Sequence, residues 1–209
     1  MLTLYGSNNT RSFRALWALE EAGLEYDYQQ VRLGRPGKNG ARSEPYTQLN
    51  FQGKVPTLVD NDLVVTESAA ILNYIATLVP NKKLIPLDDI KLRAHYDQLC
   101  FFVLSELEQP LWTSAKHSFA LPKELRLADI DKTTQWEFNR AVGALDSLIR
   151  DKEYSVNEHF TMVDILIAHT LRWANNNNFE VPENLQNFCE RMYQHPACQR
   201  ALKAQQIDK

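Results

Sequence analysis

The chain has 209 residues and a formal net charge of −3, and 44% of its residues are hydrophobic. This length and apolar content allow one large domain or two modest ones with a sizeable core, and they argue against a disordered chain. The charge gives no electrostatic reason to expect nucleic acid or an anionic membrane as partner, and no apolar run approaches the roughly 18 residues of a membrane span.

Cysteine usage and the N-terminus indicate the compartment. Met1 leads directly into a strand-like segment, without the basic and apolar regions of a signal peptide. The cysteines, Cys100, Cys189 and Cys198, are odd in number and lack CxxC spacing, which is typical of a reducing compartment without a disulfide framework. The five histidines also lack metal-ligand spacing. We expect a cytoplasmic protein with no metal site.

The first half of the chain predicts a small α/β domain. Short apolar or alternating runs predict strands, and a helical apolar stripe ends at Gly23. The order is βαβ, an irregular crossover and ββα, which is that of a thioredoxin-like domain. In chain order, the predicted segments are strand Leu2–Tyr5, a helix ending at Gly23, strand Tyr26–Leu33, loop Gly34–Ser43, hairpin strands Thr57–Val59 and Leu63–Val65, and helix Ala69–Leu78.

The second half predicts an all-helical bundle. Pro80 and Pro86 mark a linker at residues 81–87, which divides a first domain at 1–80 from a second domain at 88–209. Strand signals end at the linker, and the apolar periodicity beyond it is helical.

Within the second domain, Leu111–Leu127 predicts short helical pieces, whereas Met162–Ala168 predicts a helix buried in the centre of the bundle. Thr161 and Asp164 have the spacing of a capping box, in which each side chain bonds the backbone of the other. A carboxylate on so apolar a helix needs such partners. We therefore assign both residues a structural role, with a catalytic or ligand role for Asp164 as the alternative.

The pair Val55-Pro56 opens the first hairpin strand. Proline lacks an N–H, so the strand begins there or lies at an edge. A cis bond would turn the Val55 N–H and C=O outward, ready to pair with an extended peptide. An ordinary trans turn is the alternative, because only about 5–6% of X-Pro bonds are cis.

Glu67 and Ser68 come at the start of the third helix, 11 residues after the Val-Pro pair. Helix N-termini offer unpaired N–H groups and a partial positive charge. The Ser68 hydroxyl and N–H could hold a carboxylate while Glu67 takes a neighbouring ammonium group. Simple helix capping is the alternative.

The bend at residues 7–11, between the first strand and the first helix, contains no cysteine. Its hydroxyl or amide side chains can donate a hydrogen bond to a thiolate that a ligand brings in. The candidates are Ser7, Asn9 and Thr10. Each could equally be a polar turn or cap residue.

GKVPTL followed by TESAAIL, with FTMVDI in the helical half, resembles the glutathione S-transferase superfamily. The resemblance covers essentially the whole chain and is most similar to serine-type (theta-like and zeta-like) forms. It implies a thioredoxin-like domain followed by a helical domain, and a cis bond before Pro56. It also implies that Lys54, Val55, Pro56, Glu67 and Ser68 bind glutathione, with Lys54 at the glycine end.

On that pattern Ser7 stabilises the glutathione thiolate, although no proline or cysteine follows it in the bend. The implied activity is conjugation of glutathione to a small hydrophobic electrophile held in an apolar pocket, as in detoxification, by a homodimer. Two alternatives stay open: a glutathione-dependent disulfide reductase or peroxidase, and a non-catalytic regulatory protein that keeps the fold.

Overall fold

The computed structural model describes residues 1–150, 152–156 and 158–205. The strands are β1 Leu2–Gly6, β2 Tyr26–Gln30, β3 Thr57–Asp60 and β4 Leu63–Thr66. The α-helices are α1 Ser12–Ala22, α2 Tyr46–Leu49, α3 Ser68–Leu78, α4 Ile90–Phe102, α5 Glu108–Ala115, α6 Ile130–Ile149, α7 Met162–Asn176, α8 Glu183–Tyr193 and α9 Pro196–Ala204. None of the helices in these ranges has the length and apolar character needed to cross a bilayer.

The four strands form one mixed sheet in the order β2-β1-β3-β4. β1 is parallel to β2 and antiparallel to β3, and β3 is antiparallel to β4. Leu4 on β1 and Leu58 on the adjacent strand β3 are both fully buried. This is the predicted thioredoxin-like arrangement, so the fold expected from the sequence is confirmed. β2 ends at Gln30 rather than at Leu33, because its partner β1 ends at Gly6, opposite Gln30.

The chain forms two compact units. The first contains Met1–Ile85, and the second contains Pro86–Tyr193, so the division falls inside the predicted linker at 81–87. The described residues from Gln194 onward belong to the first unit. The sequence analysis had placed all of 88–209 in the helical domain.

The reason for this difference is the packing of α9 against α1. The Arg200 guanidinium donates to the Glu20 carboxylate over 2.7 Å and to the Glu20 carbonyl over 2.9 Å. One turn away, His195 Nδ1 lies 3.1 Å from a Glu21 carboxylate oxygen. The apolar face of α9 is buried through Ala197 and Ala201. Polar contacts and an apolar face thus join the last helix to the first.

The helix from Ile90 continues further than predicted. α4 passes through π-helical turns at Val103–Leu107 and Lys116–Ala120, on either side of α5, before the helical run ends. The expected break into short pieces over Leu111–Leu127 is therefore wrong for its first ten residues. The first π turn ends at Leu107, three residues before Pro110, and such turns accommodate a residue that lacks an N–H donor.

The helical unit has α7 as its buried centre. Asp164 is fully buried and accepts four hydrogen bonds: from the Ser155 N–H and hydroxyl at 2.8 and 2.6 Å, and from the Thr161 N–H and hydroxyl at 2.7 and 3.0 Å. Thr161 and Asp164 form a reciprocal capping box. Burial raises the pKa of Asp164 above its ordinary value, and the four donors oppose that shift.

Replacing Asp164 with Asn will destabilise the protein. One acceptor oxygen becomes an NH₂ group that faces an N–H or O–H donor, which leaves buried donors without partners. We expect the free energy of unfolding to fall by about 2–3 kcal/mol in urea titrations. The matched control is Asp129→Asn, whose side chain is 90% exposed, and we expect a change within about 0.5 kcal/mol. Equal effects of the two substitutions would contradict the structural role of Asp164.

Candidate functional site

The candidate site lies at one end of the sheet, where β1 ends, β3 begins and β4 ends. Thr57 at the start of β3 pairs with Tyr5 on one side and with the last residue of β4 on the other. Val55 comes two residues before Thr57, Ser7 comes two residues after Tyr5, and Ser68 comes two residues after the last residue of β4. The ladder therefore brings the three sequence motifs to one place.

Val55 lies just outside the paired part of the sheet. The Val55–Pro56 peptide bond is cis, as the family resemblance implied. Pro56 is buried, Val55 is half-buried, and the strand pairing begins only at Thr57. The Val55 backbone is thus positioned beside the sheet without being part of its ladder.

A buried polar cluster, formed by Tyr46, Asn50 and Thr57, holds the segment that leads to Val55. The Tyr46 hydroxyl and the Asn50 amide both donate to the Lys54 carbonyl, the latter over 3.0 Å. The Thr57 hydroxyl lies 3.0 Å from the Tyr46 hydroxyl and accepts from the Asn50 amide over 3.2 Å. Burial raises the pKa of Tyr46, so its hydroxyl stays protonated as a donor. The sequence analysis missed this cluster.

Lys54 itself is exposed, with its carbonyl anchored by the cluster. Its ammonium group is therefore at the surface next to Val55, where it can reach an anionic ligand. The cationic loop predicted at Gly34–Ser43 lies nearby, since the Arg42 side chain is close to Gly53.

Glu67 and Ser68 join β4 to α3. Glu67 has a φ of +67°, a backbone conformation that non-glycine residues rarely adopt and that clusters at functional sites. Its side chain is exposed, and its carboxylate has no hydrogen-bond partner among the described residues. Ser68 is the first residue of α3 and is only 5% exposed. A free carboxylate and a helix N-terminus with a hydroxyl thus lie side by side.

Arg14 on α1 contacts Ser68, and the sequence analysis did not identify this residue as part of the site. It is fully buried, and its guanidinium donates to the Ser68 hydroxyl oxygen over 3.2 Å. A signal was present, because a charged residue between Phe13 and Ala15 on an apolar helix requires a polar partner. The partner itself lies 54 residues away in the sequence.

The bend between β1 and α1 is fixed by hydroxyl groups. Thr10 Oγ1 donates to the Ser7 carbonyl over 2.6 Å and accepts from the Ser12 N–H over 3.1 Å. The Ser7 N–H donates to the Ser12 hydroxyl over 3.1 Å. At Gly6, an added Cβ would lie 2.8 Å from Ser12 Cβ, so only glycine lets the bend approach α1 this closely.

These contacts distinguish the Ser7 and Thr10 hydroxyls among the three candidates for the thiolate donor. The Thr10 hydroxyl donates its hydrogen to the Ser7 carbonyl and so cannot donate to a ligand. Asn9 is exposed at a φ of +57°, and its N–H donates to the Gln205 side chain. The half-buried Ser7 hydroxyl has no hydrogen-bond partner within the described ranges. Of these three, Ser7 has the hydroxyl that is available to a ligand.

Tyr46→Phe will destabilise the protein through the buried cluster. The substitution removes the hydroxyl that joins the Lys54 carbonyl and the Thr57 hydroxyl, with almost no change in volume. We expect the free energy of unfolding to fall by about 1–3 kcal/mol. The control is Tyr74→Phe, whose hydroxyl donates to Asp60 at the surface, with a loss below about 1 kcal/mol. A larger loss for Tyr74→Phe would refute the role of the cluster.

Comparison with known proteins identifies the family. The profile of the glutathione S-transferase N-terminal domain matches residues 1–77, and that of the C-terminal domain matches 109–196. Glutathione S-transferase 1 of Schizosaccharomyces pombe is 30% identical over 73% of this chain and 66% of its own length. A stringent starvation protein A homolog of Coxiella burnetii is 29% identical over 82% of this chain and 75% of its own.

Among solved structures, a sphingomonad glutathione S-transferase complexed with glutathione superimposes with a TM-score of 0.84. Its sequence is 25% identical, and the match covers 98% of this chain and 99% of that one. The two domain profiles together match most of the sequence. The structural match also includes residues of both units. The chain belongs to the glutathione S-transferase superfamily, as its motifs indicated.

Proposed function

We propose that this protein is a glutathione transferase that binds glutathione at the end of the sheet and directs its thiolate at a small hydrophobic electrophile. The observation that carries the proposal is that Val55, Glu67, Ser68 and Ser7 all lie within two residues of the strand ends at one end of the sheet. Among the described residues, the Glu67 carboxylate and the Ser7 hydroxyl have no hydrogen-bond partner. Glutathione is a tripeptide with one ammonium group, two carboxylates and a thiol, so it has polar groups that match these residues in charge and hydrogen bonding.

The binding roles follow from the charge of each group. The Val55 N–H and C=O pair with the cysteine residue of glutathione in the manner of an added strand. Glu67 takes the ammonium of the γ-glutamyl group, and Ser68 with the N-terminus of α3 takes the adjacent carboxylate. Lys54 attracts the glycine carboxylate.

Ser7 acts on the sulfur. Its hydroxyl donates a hydrogen bond to the thiolate at the N-terminal end of α1, where the helix dipole also favours negative charge. A free thiol has a pKa of about 8.5, so a downward shift of about two units, or about 2.7 kcal/mol, makes the thiolate dominant at pH 7. The thiolate then forms a bond from sulfur to the carbon of the electrophile, and the leaving group departs with its electron pair.

The Coxiella relative supports one alternative from a different class, a regulatory protein that keeps the fold. A glutathione-dependent reductase is the other, since it would use the same binding groups. The free Ser7 hydroxyl favours the transferase, because a bend without cysteine has no thiol of its own with which to form a mixed disulfide with glutathione.

Ser7→Ala will weaken catalysis much more than binding. Without the donor, the pKa of bound glutathione rises towards that of the free thiol. We expect the rate of conjugation to a chlorodinitrobenzene probe at pH 7 to fall about 10- to 100-fold, and the loss to shrink above pH 8.5 as the thiol ionises unaided. Ultraviolet absorbance of the bound thiolate should disappear at neutral pH, while proton linkage raises the Kd from calorimetry only about fourfold at pH 7.

Asn9→Ala is the matched control, since Asn9 is exposed in the same bend, and its rate should stay within about threefold of wild type. A loss in Asn9→Ala with none in Ser7→Ala would transfer the role to Asn9. Binding without a thiolate signal, together with turnover of a glutathione mixed disulfide, would favour the reductase. No binding of glutathione would leave the regulatory protein.

We also propose that the protein is a homodimer, as the family resemblance implies. Ile90 and Phe101 on α4 are 85% and 70% exposed, which gives this helix an apolar surface for a second copy. Light scattering should give twice the 24.1 kDa of the chain, and Phe101→Glu should lower that mass. A value of 24.1 kDa for the wild type would contradict the proposal.

A further inference from the structure

We infer that Arg14 makes the Ser68 end of the site selective for a carboxylate. The inference rests on the proposed function and concerns a residue that no sequence motif of the site includes. Arg14 acts through Ser68 and is a positioning residue.

The first step is the direction of the Ser68 hydroxyl hydrogen. A guanidinium has only donors and never accepts, so Arg14 can only donate to the Ser68 oxygen. The Ser68 hydroxyl hydrogen therefore cannot point at Arg14. It also has no acceptor among the described residues. Because Arg14 occupies the Ser68 oxygen as a donor, the Ser68 hydroxyl hydrogen is available to donate to a ligand.

The second step is charge. Arg14 is fully buried, so its positive charge is screened less than that of a surface arginine. Its guanidinium contacts Ser68, the first residue of α3, where the helix dipole already supplies partial positive charge. Both effects favour an anion over a neutral group of the same shape.

The third step is that Glu67 and the Arg14–Ser68 pair recognise different groups of the ligand. The Glu67 carboxylate adjoins Ser68 in the chain but is exposed. An α-amino acid end carries an ammonium and a carboxylate on one carbon atom. Glu67 and the Arg14–Ser68 pair thus present opposite charges to the two groups, so each should contribute separately to recognition.

The test uses two glutathione analogues. 4-Aminobutyryl-cysteinyl-glycine lacks the γ-glutamyl carboxylate, and glutaryl-cysteinyl-glycine lacks the amine. Calorimetry on the wild type should show that loss of the carboxylate weakens binding by about 10- to 100-fold. In Arg14→Met, glutathione should bind weakly and the analogue without the carboxylate should bind as before, so that this preference falls below about threefold.

The penalty for loss of the amine depends on Glu67 and should be unchanged in Arg14→Met. A purely structural role of Arg14 would weaken all three ligands alike and leave both ratios in place. The matched control is Arg140→Met, an exposed arginine of α6, which should alter neither ratio.

If Arg14→Met does not fold, Arg14→Lys and Arg14→Gln decide the question, since the first keeps the charge and the second keeps only a neutral donor. The preference for the carboxylate should survive in Arg14→Lys and fall in Arg14→Gln. Equal preferences in these two, or a wild type that binds glutathione and the carboxylate-free analogue alike, would overturn the inference. A wild type that binds none of the three ligands would instead sink the proposed function.

Discussion

The register of β3 determines where the site forms. This strand pairs with β1 on one side and with β4 on the other, so its position decides which residues of the two neighbouring segments meet. A slip by one residue would turn Leu58 from the core towards the opposite face. Because Leu58 is fully buried, the requirement to keep it there also fixes the end of the sheet at which Val55, Ser7 and Ser68 lie.

Buried polar groups then hold the two binding segments of the site, Lys54-Val55 and Glu67-Ser68, in place. Tyr46, Asn50 and Thr57 fix the carbonyl before Val55, and Arg14 fixes the Ser68 oxygen. Each of these side chains is buried and hydrogen-bonded, so a displaced segment would leave desolvated donors or acceptors unpaired. The same interactions that stabilise the unit therefore hold the binding groups in position.

The local motifs were predictable because their geometry depends on residues close in sequence. Val55-Pro56 and Glu67-Ser68 could be found from spacing, and the order of strands and helices along the first domain from apolar patterning. Long-range partners could not, since nothing near Arg14 indicates Ser68. The prediction of short helical pieces over Leu111–Leu127 did not anticipate the π turn before Pro110, which carries the helix past that proline. The packing of α9 against α1 likewise joins residues 180 positions apart in the sequence, such as Arg200 and Glu20, which no local pattern reveals.

The packing of α9 on α1 has a consequence for synthesis on the ribosome. The unit that contains the first strand also needs Arg200 and His195 against Glu20 and Glu21. The unit that is translated first is thus completed last, after all of Pro86–Tyr193 has been made. At about 5–20 residues per second, the interval is on the order of 10 s. During that interval the nascent chain exposes the surface of α1 that α9 will cover, which is where a chaperone would find an apolar surface to bind.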